Sequence, residues 1–530
     1  MRQSKTVYTN DIQYDYPNEY WNSKIYNRVR NYGFASIVNV GYEVSKKRKI
    51  SFQYLGNNAF PKTMEEGNTR ICSKEEERLV KRLIAVGDAK NKNYHHAFTG
   101  SLLTILDTFG KKYTIDVDYF VYASDKKNNQ ITHAIHGDDI PETLTLLNNN
   151  NEQRIENLTT QIDFDLPYAW AKFEFGGKMN WTNTNSQIDI TTTQIQKTGD
   201  HQRDKYTYRE NTQALYFSGA KSWGEKWQVK TGLRAEATQN EGDSFSRNQV
   251  NMKQYIKLFP TLYVAYQVNS NHTISLQYSK RIQRPSYGNL NPVRWYLNTT
   301  SYEEGNPFLQ PALNTNLEFS HSFKNAFNTS LSFTQTKNGF GQLTIHNADH
   351  NFQQFIQLNY FSAQIINLNL YASLDFLPGW TNAFEFNTFY TETKSNTTYL
   401  KPEYTGLGAY FISTTSLTLN KAKTIAVEIG YEQDFASQYI GTSTSANANV
   451  SAGIKLLLLA KKLQCALNAN DIFGTDQIQL SNTTQNIFQT FKQYFDTQYL
   501  RLSLSYSLGN KNVELKKQRT SNEEEKGRVN

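Results

Sequence analysis

The sequence predicts an all-β fold: a large antiparallel transmembrane β-barrel of about nineteen strands, with short periplasmic turns and long extracellular loops. Three observations predict it. Apolar and polar residues alternate with period two in segment after segment, which gives each strand one greasy and one wet face. Short turns and long polar stretches alternate along the chain, so that every long connection falls at the same end of the strands. The composition is poor in aliphatics and rich in aromatics: 38% of the 530 residues are hydrophobic, against roughly 45–50% in an ordinary globular chain, yet 34 are Tyr and 31 are Phe. Disordered chains are poor in aromatics. A soluble chain this polar would have trouble closing the cores its length requires.

The alternation is plainest in four segments. Tyr113, Ile115, Val117, Tyr119 and Val121 oppose Thr114, Asp116 and Asp118. Trp227, Val229, Leu233, Ala235 and Ala237 oppose Gln228, Lys230, Gly232, Arg234 and Glu236. Ile274, Leu276 and Tyr278 oppose Ser275, Gln277 and Ser279, and Leu500, Leu502, Leu504, Tyr506 and Leu508 oppose Arg501, Ser503, Ser505 and Ser507. Short turns recur, among them Ser45-Lys46-Lys47-Arg48, Phe109-Gly110-Lys111-Lys112, Ser222-Trp223-Gly224-Glu225 and Leu377-Pro378-Gly379-Trp380. Long polar loops are expected at 57–92, 125–153, 183–205, 240–252, 283–308 and 473–494. Trp170, Trp223, Trp227 and Trp380 sit at or beside short turns, as amphipathic rings at a membrane–water interface do. One stretch breaks the pattern. Ser73-Lys74-Glu75-Glu76 has capping-box spacing, and Leu79, Val80, Leu83 and Ile84 make one apolar face, so a helix is expected over 74–86.

Other classes are excluded early. The longest aliphatic run, Leu456-Leu457-Leu458-Leu459-Ala460, is far short of the ~20 residues a membrane helix needs. Cys72 and Cys465 form neither a disulfide framework nor a CxxC site. The residues after Met1 lack the apolar core of a signal peptide. If short turns are periplasmic, both the segment near 33–44 and the last one, near 495–508, run inward. Single-chain barrels of this class have an even strand number, so at least one strand is expected to be missing before residue 33. The expectation is an open seam between first and last strands, or an extra strand drawn from 1–32. The chain accordingly divides into a partial loop or strand remnant (1–32), the outer-membrane β-barrel (33–510) and a charged, disordered periplasmic tail (511–530).

Three short stretches carry a family resemblance. They are Ser279-Lys280-Arg281-Ile282-Gln283-Arg284-Pro285-Ser286-Tyr287, then Leu290-Asn291-Pro292, then Tyr302-Glu303-Glu304-Gly305-Asn306-Pro307-Phe308-Leu309-Gln310-Pro311. With Asn470-Asp471-Ile472-Phe473-Gly474-Thr475 and the final alternating strand, they resemble TonB-dependent outer-membrane receptors. The closer likeness is to the Bacteroidetes-type outer membrane protein β-barrel family, well over 200–530 and by pattern only before that. The resemblance implies a barrel of about 22 strands around an N-terminal plug. It also implies uptake of siderophores, vitamins, glycans or peptides with energy from TonB. Family members usually read Lys-Pro-Glu where this chain has Gln310-Pro311-Ala312, which removes a carboxylate. No plug or TonB box is legible here, so TonB is a partner only through a plug not present in this chain.

The chemistry-bearing residues point to binding rather than catalysis. Arg281, Arg284 and Pro285, with Asn291, Pro292, Gly305, Asn306 and Pro307, are the candidate ligand-binding set at the external mouth; the competing reading is that they fix a strand end and loop entry. Asp116, Asp118, Lys230, Arg234 and Glu236 are expected to line a watery lumen and satisfy one another. His95-His96 lacks a third ligand, so no metal is expected. Gly339-Phe340-Gly341 has no helix after it and so is no nucleotide loop. No nucleophile elbow is present, and no catalytic residue, enzyme activity or cofactor is expected. The net charge of +8 is spread over turns and loops rather than gathered in a stripe, which argues against nucleic acid and for lipopolysaccharide phosphates. The expected surroundings are the cell outer membrane, its lipid and lipopolysaccharide, with a surface lipoprotein or extracellular ligand as partner. The first functional reading is the barrel portion of a nutrient receptor. The alternative is a non-transporting outer-membrane barrel serving as scaffold or partner subunit.

Overall fold

The computed structural model describes residues 2–15, 18–136, 142–194, 197–245, 247–347, 352–484, 487–508 and 520–529. Twenty-eight strands share one sheet. The first group is β1 (Arg2–Tyr14), β2 (Glu19–Asn31), β3 (Gly33–Ser45), β4 (Arg48–Ala59), β5 (Lys62–Ser73), β6 (Leu79–Ile105), β7 (Lys112–His136), β8 (Thr143–Pro167), β9 (Lys172–Gln194) and β10 (Lys197–Trp223). Next come β11 (Trp227–Ser244), β12 (Gln249–Asn269), β13 (His272–Gln283), the helical turn α1 (Tyr287–Leu290), β14 (Arg294–Asn298), β15 (Ser301–Glu304), β16 (Ala312–Phe323), β17 (Phe327–Asn347) and β18 (Phe352–Leu377). The last are β19 (Trp380–Ser395), β20 (Glu403–Thr418), β21 (Ile425–Asp434), β22 (Ser437–Tyr439), β23 (Thr442–Thr444), β24 (Asn447–Leu458), β25 (Leu463–Asn470), β26 (Gln477–Thr484), β27 (Ile487–Phe495), β28 (Tyr499–Tyr506) and α2 (Glu523–Gly527).

One row of antiparallel pairings runs β3, β4, β6 and onward through β13, then β16 to β21, β24, β25 and β28. Along it, side chains sort by parity. On β10, Leu215 and Phe217 are exposed, while Tyr206, Tyr208, Glu210, Thr212 and Ala214 are buried. On β7, Ile115, Val117 and Tyr119 face out, and Asp118 and Phe120 are buried. An exposed apolar belt over this many strands has no place in water and suits lipid. The short connections lie at one end, where Trp170, Trp223, Trp227 and Trp380 are all exposed. Lys221 lies over Trp170 and Trp223, and Trp227 packs on Tyr266.

β3 and β28 end the row. Among the described residues neither has a partner on its outer edge. At the opposite end from the short turns, the start of the chain closes on its finish. β1 pairs with β2 from Arg2↔Asn31 to Gln13↔Tyr20, and with β27 from Thr6↔Phe495 to Tyr14↔Ile487. β27 then leads into β28. Residues 1–32 thus supply extra strands, and an unpaired edge also remains.

Several expectations need correcting. The sheet has 28 strands rather than about nineteen, because β1, β2, β5, β14, β15, β22, β23, β26 and β27 lie beyond the membrane-facing row. Most of the supposed long loops are strand. β7 and β8 stay paired from Lys112↔Asp165 to Ala134↔Thr143, and β10 and β11 from Trp223↔Trp227 to Tyr206↔Ser244. Polar runs such as Asn148-Asn149-Asn150-Asn151 break the period-two pattern of the sequence while the ladder continues. The helix over 74–86 is also a strand. Ser73 Oγ does accept from the Glu76 amide at 3.3 Å, but that bond makes a turn, and β6 starts at Leu79. Ladders to β5 and β7 on both sides outweigh a short stretch of helical spacing. Finally, the tail is not a periplasmic appendage over 520–529; it sits inside the sheet's concave face, with Asn522, Glu525 and Arg528 buried. Residues 511–519 lie outside the described residues.

Candidate ligand site in the barrel lumen

The segment between β13 and β16 folds inward. Pro285 cannot donate to a ladder, and the β13–β16 pairing stops at Gln283↔Ala312. Ser286 then caps α1, its Oγ accepting from the Asn289 amide at 3.2 Å. The remaining motif residues tie this turn into a knot. Gly305 N donates to Asn291 O at 3.0 Å, and Asn306 N to Asn289 O at 2.7 Å. A Cβ on Gly305 would collide with the carbonyl oxygens of Asn291, Asn289 and Gly288, so only glycine allows this approach. Asn291 Nδ2 reaches Ser186 Oγ on β9 at 3.0 Å, and Asn306 Nδ2 reaches Gln357 O on β18 at 3.0 Å. The Pro292 carbonyl accepts from Arg247 at 3.2 Å, and the Pro307 carbonyl from Asn251. The hairpin β14–β15 lies against β18 in parallel pairing, the one parallel contact among the described strands.

Of the sequence-predicted set, Arg284, Pro285, Asn291, Pro292, Gly305, Asn306 and Pro307 are therefore brought together, in the interior rather than at the outer rim. Arg281 is not: it stays exposed on β13, opposite Asn314. The motif fixes the strand end and loop entry, and Asn291 and Gly305 also border a space. A cavity of about 340 Å³ opens beside it, bounded by Asn289, Asn291, Gly305, Lys126, Trp295 and Gln357 among others. Lys126 Nζ lies 4.2 Å from the Trp295 ring centroid. That volume is at the small end of ligand pockets. Its lining of carboxamides, one cation, the carboxylates Glu303 and Glu304 and aromatic faces suits a hydroxyl-rich polar ligand.

Below this cavity lies a charge cluster. Arg284 pairs with Glu236, donates to Thr238 Oγ1 at 3.2 Å, and reaches Glu524 in the tail. Arg234 also pairs with Glu236, at 2.8 Å, and Lys230 with Glu174, at 2.7 Å. Of the expected lumenal charges, Arg234 and Glu236 thus satisfy one another, while Lys230 finds Glu174 outside that set. Asp118 accepts from Thr99 Oγ1 and from Ser521 N. His95 and His96 are successive on β6 and point to opposite faces: His96 meets the Tyr54 hydroxyl at 2.8 Å, and His95 lies beside Phe120.

Sequence reasoning missed Tyr208, Glu210, Trp295, Lys126 and Arg528. For Tyr208 and Glu210 a signal existed, because they share the inward parity of Thr212 and Ala214 on β10. For Arg528 there was none, since its partners lie some 240 to 320 positions away in sequence.

The outer membrane protein beta-barrel family matches residues 105–506. No curated protein matches the chain. Among solved structures, the chain is similar to the siderophore receptor PiuA from Acinetobacter baumannii, at 9% identity and a TM-score of 0.51, over 93% of this chain and 82% of that one. It is also similar to the alcaligin outer-membrane receptor FauA from Bordetella pertussis, at 13% identity and a TM-score of 0.43, over 94% and 76%. A third is the ferric yersiniabactin uptake receptor FyuA from Yersinia pestis, at 10% identity and a TM-score of 0.45, with 93% and 80% covered. At 9% identity the likeness to PiuA is one of fold. The family match places the chain in the outer membrane.

Proposed function

Because the chain belongs to the outer membrane protein beta-barrel family, we propose that it is the barrel portion of a TonB-dependent nutrient receptor of the Bacteroidetes-type branch. Its cargo is a siderophore, glycan, peptide or vitamin, met first by the strand extensions and then by the interior. The observation that carries this reading is the inward-folded motif, which spends its polar groups on holding a 340 Å³ cavity open beside Trp295 and Lys126. A barrel that only spanned the membrane would need no such insert. Lipid and lipopolysaccharide surround the outer face in this reading, and TonB acts through a plug domain. The chain itself carries out no reaction.

A deletion strain tests it. Loss of growth on one defined iron or carbon source, restored by the wild-type chain and not by Trp295→Ala with Lys126→Ala, supports uptake through this cavity. Normal growth on every source would refute uptake. One observation favours the second reading, a non-transporting scaffold or partner subunit: residues 520–529 already occupy the lumen beside the cavity. An abundant, folded chain whose deletion changes no uptake but depletes another outer-membrane protein is the result expected of that role.

A further inference from the structure

We infer that the interior of the sheet holds a peptide-recognition site for an arginine-bearing acidic segment, and that Thr520–Val529 of the same chain is its resident ligand. This goes beyond the nutrient-receptor reading and does not depend on it. Three contacts between opposite charges fix the segment. Lys178 on β9 holds Glu525 at 3.0 Å, Arg284 holds Glu524, and Glu210 on β10 takes Arg528 in a forked pair. The Arg528 site is the most developed. Its Nε donates to the Pro285 carbonyl at 3.0 Å, its guanidinium lies 4.4 Å from the Tyr287 ring centroid, and its own carbonyl accepts from the Tyr287 amide at 3.0 Å. Tyr208 supplies a further donor to Glu210 at 2.6 Å.

Burial gives these contacts their meaning. Arg528 is 6% exposed and Glu210 4%. A surface ion pair between flexible side chains contributes little, whereas a buried carboxylate with no cation is strongly unfavourable. Glu210 therefore demands a cation in this place. A fork, a stacking ring and a carbonyl acceptor together suit a guanidinium better than an ammonium. The space left beside Arg528 is about 10 Å³, room for no more than a single water, so the segment fills the site. Asn522 is fully buried, and neither side-chain polar atom has a hydrogen-bond partner. It serves as an indicator of docking that can be changed without breaking a bond.

The test uses the full chain in detergent, with Cys72→Ser, Cys465→Ser and Asn522→Cys, and follows maleimide labelling of the new thiol. Slow labelling is expected. Arg528→Ala and, from the wall side, Glu210→Gln should each speed it by about thirtyfold or more, the equivalent of losing one partner of a buried charge pair. A synthetic peptide of residues 520–530 should also speed it saturably by taking the site, and the same peptide with Arg528→Ala should not. Rapid labelling of the parent, no change on Arg528→Ala, or equal effects of the two peptides would each overturn the inference. Unchanged β circular dichroism in Arg528→Ala, which alters only the tail, separates release from misfolding.

Discussion

Asp107 shows how much a short turn depends on one side chain. Its Oδ1 accepts from the amides of Phe109 at 2.9 Å and Lys111 at 3.0 Å, while Lys111 Nζ lies 3.4 Å from its other oxygen. Gly110, at φ +93°, supplies the left-handed residue that lets the chain reverse here. Desolvation alone would raise the Asp107 pKa; the Lys111 and Phe109 donors outweigh it and hold the carboxyl below its ordinary value. A depressed folded-state pKa stabilises the fold above the unfolded carboxylate value, about 3.9, and that contribution fades as pH falls through the folded value. In thermal unfolding in detergent, the wild type should therefore exceed Asp107→Asn at pH 6, and the gap should narrow as pH drops below about 4. A gap independent of pH would contradict this. The turn was legible in the sequence as Phe109-Gly110-Lys111-Lys112. The use of Arg284 was not, because its meaning comes from Glu236 and Glu524 on elements far apart in the chain.

β6 illustrates the contest between local spacing and ladders. Its first residues resemble an amphipathic helix, yet Leu83 is 7% exposed and packs with Ile12, Tyr14, Trp21, Ile71, Ala134 and Ile487, a small core that belongs to the extensions. This core glues β1 and β2 to β5, β6 and β27. Leu83→Ala should cost about 2–5 kcal/mol of local stability. Hydrogen exchange should then accelerate in β1, β2 and β5 while β8 to β10, outside that core, stay protected. Equal acceleration in both regions would mean the extensions and the row unfold as one unit. The polar extensions hid for the opposite reason. Asn149 reads as a loop residue, but on the paired strand β8 it is buried and its Nδ2 donates to the Tyr296 carbonyl at 2.7 Å.

Taken together, the strands put an apolar belt outside, an aromatic fringe at the short turns and a polar, partly filled interior. Trp170, Trp223 and Trp380 should then sit at headgroup depth. Lipids brominated near the headgroup should quench their emission more than lipids brominated near the chain ends, and replacing these three and Trp227 with Phe should shrink that difference. Stronger quenching by the deep label would reverse the assigned depth of the turns. Period two, turn spacing and aromatic placement were enough to predict a lipid-facing β sheet, because each strand writes its two faces into neighbouring residues and needs no distant partner to do so. The alternation fades in polar runs such as Asn148-Asn149-Asn150-Asn151, so the extensions required the ladders to be seen. The lumen could be decided only in three dimensions. An Arg-Pro turn becomes a cavity wall, and a charged tail becomes a ligand, when Lys178, Glu210 and Arg284 converge on one space; charge complementarity between such distant positions leaves no local trace in the chain.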